Sequence, residues 1–236
     1  MEFGLICEGP TDQAVLENML CGLCDDEDLY ELITELQPGG KSDTNKDGGW
    51  ERVLEYLASY KFRQAFTTVN NVVIQIDTDV AHLQGFDVDL RDEKGKTIKS
   101  VPEIVAKVKA RLVEQIESGE KGFFTKYDKR IIFAITVHSL EIWLFKHYNK
   151  DHDKAKLING GEKQLALELL KDKKLTEYTQ RTKGKVVVMV KNYDSYCDLS
   201  MPFYESKTCK PSIENLLKRD ESFKLFKGYI DQIKTM

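Results

Sequence analysis

Phe3-Gly4-Leu5-Ile6-Cys7-Glu8-Gly9-Pro10-Thr11-Asp12 opens the chain and settles its architecture. An apolar run of strand length stops at Glu8, turns through Gly9-Pro10, and passes into a helix from about Thr11 to Leu23. Thr11 is positioned to cap that helix, and Pro10 suits the turn before it. Much later, Val72-Val73-Ile74-Gln75-Ile76 forms a second apolar strand that ends in Asp77-Thr78-Asp79. Open α/β sheets bind their ligands beyond the carboxyl ends of the strands, so both sets of acids are expected at one edge.

Working outward, Leu29 to Leu36 alternates apolar and polar residues and predicts another strand. Gln37 to Gly49 is a long loop rich in Gly, Lys, Asp and Asn. Trp50 to Phe62 has helical spacing, and His82 to Lys99 is an excursion with two turns. Pro102 to Glu117 is a helix with Ile104, Val105, Val108 and Leu112 as its apolar stripe. Arg130 to Val137 is a further strand, and Leu140 to His147 starts another helix. Strands alternating with helices predict an α/β fold with a mainly parallel sheet covered by helices over residues 1–150. Residues 151–236 predict a mainly helical C-terminal extension, with helices at Leu165 to Leu170, Ser212 to Leu217 and Phe223 to Ile233. Val186 to Val190 is left open between a strand and a helix start.

The 236 residues carry 35 basic and 39 acidic side chains, a net charge of -4, and are 41% hydrophobic. That is the composition of an ordinary globular protein with material for a core. No run approaches the length of a membrane span, and the N-terminus lacks the pattern of a secretion signal. The odd number of cysteines, five, argues for a reducing compartment, and the expected location is the cytoplasm. Cys21-Gly22-Leu23-Cys24 has no second ligand pair at zinc spacing and reads as two helix cysteines. The charge balance leaves nucleic acid to local basic patches, at Lys171 to Lys174, Arg181 to Lys185 and Lys207 to Lys210.

The acids carry the chemistry. Alternate residues of a strand share a face, so Asp77 and Asp79 can point the same way, towards Glu8 and Asp12. Such hard oxygen donors suit Mg²⁺ or Mn²⁺ and, with a phosphate sharing the ion, phosphoryl chemistry. Crowded without a cation, they repel and raise at least one pKa. Glu141, in Ser139-Leu140-Glu141-Ile142-Trp143-Leu144, falls on the first turn of a helix at the same edge, as a metal ligand or as a helix-start acid.

Glu8-Gly9-Pro10-Thr11-Asp12 followed by Asp77-Thr78-Asp79 resembles the TOPRIM domain of topoisomerases, primases and OLD-type nucleases. The segment Ser139 to Leu144 is similar to the S-x-E-x-W-L stretch of small RloB-like prokaryotic TOPRIM proteins, which are often encoded beside ATPases in phage-defence loci. The resemblance spans residues 1–150 by motif placement and implies a Rossmann-like TOPRIM sheet. It further implies a Mg²⁺-dependent (or Mn²⁺-dependent) nuclease, a hydrolase of phosphodiester bonds in DNA ahead of RNA. Glu8, Asp77 and Asp79 would hold one or two ions, with Asp12 and Glu141 completing a second site or orienting ligands. Glu8 has the alternative role of general acid or base. OLD-type nucleases also use a lysine near the site, for which Lys126, Lys129 and Lys207 are open positions.

Plainer readings stand beside these. Glu8 and Asp12 can instead serve as helix-start acids, and Asp77 and Asp79 as turn formers. His82 and His138 lie near strand ends, where they could serve as a base or a ligand but read first as loop histidines; His147 and His152 have no partner pattern. Gly39-Gly40-Lys41-Ser42 lacks the spacing of a phosphate loop. A receiver or phosphatase fits the Glu8 turn poorly. The other functional class is a subunit that binds metal with nucleic acid or a nucleotide and acts only with a partner ATPase. A homo-oligomer is compatible with either.

Overall fold

Three apolar runs supply strands buried on both faces, the pattern that a parallel sheet requires. In a computed structural model describing residues 1–37, 48–91, 94–97, 100–151, 160–184 and 186–235, these runs become β1 (Phe3–Ile6), β3 (Asn71–Asp77) and β4 (Ile131–Thr136). With β2 (Ile33–Gln37) they form a parallel sheet of four strands in the order β2-β1-β3-β4. Phe3 pairs with Asn71 and Ile6 with Ile74, so β1 and β3 run side by side to their carboxyl ends.

Helices cover both faces. α1 (Pro10–Cys24) lies on one. α2 (Trp50–Ala58), α3 (Tyr60–Ala65), α4 (Val101–Gly119) and α5 (Phe123–Tyr127) lie on the other. Along α4, Ile104, Val108, Leu112 and Ile116 recur at helical spacing and pack against Ile74, Phe133 and Ile135 of the sheet. Each such side chain contributes about 1.5–3 kcal/mol by leaving water, which holds the layers together.

The C-terminal segment contributes to the layer containing α1. After β4 come α6 (Glu141–Tyr148) and α7 (Gly161–Leu169). A short antiparallel ribbon follows, β5 (Thr179–Arg181) with β6 (Val187–Met189). Last are α8 (Tyr193–Ser200), α9 (Cys209–Arg219) and α10 (Glu221–Lys234). Tyr196, Phe203, Leu216, Phe223 and Phe226 share one core with Leu16, Trp143 and Phe145. The Asp220 carboxylate caps α10 through the Phe223 N–H (2.8 Å) and forms a buried ion pair with Lys146 (2.7 Å). It also accepts from the indole N–H of Trp143 at 3.1 Å, which ties α6 to α10.

Several local expectations are corrected. Leu29 to Leu36 is not one strand. Asp26 caps a 3₁₀ turn over Glu27–Leu32, its Oδ1 accepting the Asp28 N–H at 3.1 Å, and extended structure begins only at Ile33. The helical pattern from Trp50 to Phe62 breaks at Ser59, whose hydroxyl caps α3. α1 begins at Pro10 with Gly9 at its cap position, so Thr11 lies inside the helix. Val186 to Val190 resolves as the strand β6, while α8 had no forecast. Most of the Gln37 to Gly49 loop, including Gly39 to Ser42, lies outside the described residues, as does His152. Among the described residues no helix is long and apolar enough to cross a membrane.

Candidate functional site at the carboxyl edge of the sheet

The chain leaves β1 towards β2 on one side and leaves β3 towards β4 on the other. The point where connections diverge is where doubly wound sheets open a crevice. Glu8 lies just past β1 and Asp77 is the last residue of β3. They meet directly: Oε1 of Glu8 accepts the Asp77 backbone N–H at 2.6 Å. Gln75, fully buried between them, accepts the Glu8 N–H (3.1 Å) and donates to Asp77 Oδ1 (2.9 Å). The Thr136 hydroxyl on β4 donates to the same Oδ1. The first N–H of α2, at Trp50, also reaches the Glu8 carboxylate, and Gly49 N–H donates to the Glu8 carbonyl at 2.7 Å.

Asp79 lies beyond the end of β3, so strand alternation does not place it. Its turn is latched to the β4–α6 junction: Asp79 N–H donates to the His138 carbonyl (3.0 Å) and His138 N–H to the Thr78 hydroxyl (2.7 Å). His138 pays for this with a φ of 72°, uncommon for a residue with a Cβ. Glu141 begins α6 and is buried, its Oε1 accepting the Tyr196 hydroxyl of α8 at 2.7 Å. Lys191 reaches Glu141 at 3.7 Å and Glu162 of α7 at 2.9 Å.

Glu8, Asp12, Asp77, Asp79 and Glu141 thus line one cavity of about 520 Å³. Its remaining walls include Ser139, Gly160, Glu162, Lys163, Lys191 and Val186 to Val188. Six carboxylates face two ammonium groups, and burial sharpens the imbalance. Burial, with the charges of Asp79 and Glu141 adding to it, pushes the Glu8 carboxyl up to about 7 against hydrogen bonds from Asp77 and Trp50. Asp12 and Asp77 are held well above the usual carboxylate range by burial and then by their acidic neighbours. Asp79 is raised mainly by burial, with His138 opposing. Burial works against the Lys191 ammonium, yet Glu141 and Glu162 together raise its pKa.

The donor set fits a hard divalent cation: carboxylate oxygens, negative excess and a polar, open cavity. Among the described residues no three His, Cys, Asp or Glu side chains stand in a ready coordinating group, so the acids ring the cavity rather than converge on one point. Asp77 is the most firmly held, with Gln75 and Thr136 fixing one oxygen.

Lys126, Lys129 and Lys207 are not in this cavity; the lysines there are Lys163 and Lys191. His82 lines a neighbouring cavity that shares Asp79 and His138. His147 lies half-buried away from the site against Tyr148 and Phe203, its pKa lowered to about 4 by burial and then by Arg219. Tyr196, Glu162 and Lys191 were not singled out from sequence, because nothing local marks them; only α8 packing on α1 and α7 packing on α6 bring them in. Set against known proteins, the chain matches no family model, no curated protein and no solved structure.

Proposed function

We propose that this chain is a TOPRIM-like, Mg²⁺-dependent phosphodiesterase that hydrolyses nucleic acid. The observation that carries the reading is the Glu8–Asp77 contact at the divergence of β1 and β3, with Asp12, Asp79 and Glu141 around the same cavity. Glu8, Asp77 and Asp79 would hold Mg²⁺ or Mn²⁺, with Asp12 and Glu141 in support. The ion, when bound, supplies Lewis-acid polarisation of a phosphoryl oxygen and neutralises its charge.

The chain's own groups divide the remaining work. Gln75 and Thr136 fix the oxygen of Asp77, and Tyr196 and Lys191 fix Glu141. In the alternative role, with Asp77 and Asp79 holding the ion and Glu8 free of it, a Glu8 carboxyl raised to about 7 exchanges protons near neutrality and would serve as a general base towards water and a general acid towards the leaving oxygen. Lys191, half exposed and paired with Glu162, would meet a phosphate oxygen in the role left open for a lysine. Action on DNA ahead of RNA, a place in phage defence and an ATPase partner rest on the motif resemblance alone.

The test is a cleavage assay on plasmid, linear and single-stranded DNA and on RNA, with Mg²⁺, Mn²⁺ or EDTA, beside the Asp77→Ala/Asp79→Ala protein. Metal-dependent cutting lost in the double variant is the expected result. Absence of cutting while Mg²⁺ still raises the melting temperature would move the reading to a metal-binding subunit that acts with a partner.

A further inference from the structure

Opposite the carboxylates, the same cavity is walled by the first turn of α7. That helix starts with no side-chain cap, from Gly160 at φ 65°. Its first internal hydrogen bond runs from Gln164 N–H to the Gly160 carbonyl at 3.0 Å. Helix geometry therefore leaves the N–H groups of Gly161, Glu162 and Lys163 without an intrahelical acceptor, and none is found among the described residues.

Two further groups there lack partners. Ser139 is 7% exposed, lines the cavity, and its hydroxyl has no hydrogen-bond partner. A Cβ on Gly161 would fall 2.6 Å from that hydroxyl oxygen, so glycine lets the first turn of α7 close directly onto Ser139. His138 accepts the Gly160 N–H at Nε2 (3.1 Å), so the neutral ring carries its proton on Nδ1. That Nδ1 is also buried and without a partner. Buried polar groups are rarely left unpaired, and these are donors beside a helix N-terminus and two lysines.

We propose that the first turn of α7, with Ser139 and Lys163, is a phosphate-binding subsite facing the carboxylate cluster. It holds a phosphate of the substrate other than the one being cleaved. The assignment of that phosphate to a nucleic acid rests on the phosphodiesterase reading above; the recognition of a phosphate group does not. Glu162 opposes the subsite, since its carboxylate sits on the same first turn and repels a phosphate there, so occupancy is strongest once a divalent cation offsets the acids.

The test is a titration of the ¹⁵N-labelled full chain with inorganic phosphate in saturating Mg²⁺. The amides of Gly161, Glu162 and Lys163 are expected to shift. Ser139→Ala should weaken binding roughly tenfold, the loss of one hydrogen bond to a charged group. Glu162→Gln should tighten it, a change of sign that misfolding cannot imitate. Unmoved amides, or equal affinity in all three proteins, would overturn the subsite.

Thermal shift with MgCl₂ alone reads the carboxylate cluster separately. Mg²⁺ stabilisation without a phosphate response overturns the subsite and leaves the phosphodiesterase reading standing. Phosphate shifts retained in Asp77→Ala/Asp79→Ala, when wild type shows no Mg²⁺ response, support the subsite and remove the metal reading. A short DNA strand with a 5′-phosphate, compared with its 5′-hydroxyl form, then identifies the source. Tighter binding of the phosphorylated strand supports a terminal phosphate, and equal binding with the same amide shifts supports an internal phosphodiester.

Discussion

The carboxylate of Glu8 accepts the backbone N–H of Asp77, 69 positions further along the sequence, at 2.6 Å. One hydrogen bond thus ties the first strand-end acid to the strand carrying the second, and holds both at the divergence of the sheet. Because β1 and β3 are in register to Ile6 and Ile74, the contact is a consequence of strand pairing, not of a flexible loop.

The raised Glu8 pKa makes stability depend on pH with a definite sign. An acid whose pKa moves from 4.5 unfolded to about 7 folded binds more protons in the folded state between those values. Stability therefore falls as pH rises from about 4.5 through about 7. In EDTA the melting temperature should decline across that window, and Mg²⁺ should stabilise more at pH 8 than at pH 5.5. A flat profile, with equal Mg²⁺ effects at both, would contradict the arrangement.

Asp77→Asn keeps the acceptor oxygen used by Gln75 and Thr136 while removing the charge. In EDTA at pH 8 it should raise stability, because the neutral amide is spared the burial and the like charges of Glu8, Asp12 and Glu141 that hold the Asp77 carboxyl well above its usual range. In Mg²⁺ it should lose cutting by roughly 100-fold or more, since a metal ligand supplies several kcal/mol at the transition state. Urea melts and the cleavage assay read the two effects independently.

Tyr196→Phe removes a 2.7 Å hydrogen bond from the buried Glu141. A stability cost of about 1–2 kcal/mol follows from leaving that oxygen without the hydroxyl. Cutting should drop roughly 10- to 100-fold through misorientation of Glu141. Unchanged rate and unchanged stability together would remove Glu141 from the site.

Lys191→Met should lower cutting by at least about tenfold while Lys126→Met and Lys129→Met leave it intact, because Lys191 lines the cavity and the other two do not. Loss of rate in the Lys129 variant with none in the Lys191 variant would reverse that assignment.

Far from the cavity, Asp220→Ala should cost about 3–5 kcal/mol, since it strands the buried Lys146 ammonium and uncaps α10. Asp220→Asn, which retains an acceptor, should cost less. Urea denaturation measures both, and equal stabilities would refute the role given to this pair.

Local physics encodes part of this architecture directly in the amino-acid order. Apolar runs at Phe3 to Cys7, Val72 to Ile76 and Ile131 to Val137 read as strands buried on both faces, and each ends in polar residues that must turn at the edge. The acids Glu8, Asp12, Asp77, Asp79 and Glu141 were legible for that reason, and the structure gathers them around one cavity. Leu29 to Leu36 was misread because Asp26 caps a turn that alternation does not reveal.

Which distant surfaces meet is set by packing. Glu8 touches Asp77 because β1 pairs with β3, and Tyr196 touches Glu141 because α8 packs on α1. Lys191 arrives with them, while Ser139 faces Gly161 because α7 packs against α6. Side-chain periodicity fixes what each segment is and which face it must bury. The partner it buries that face against is set by the joint packing of segments far apart in the chain, and no single stretch of sequence carries that information.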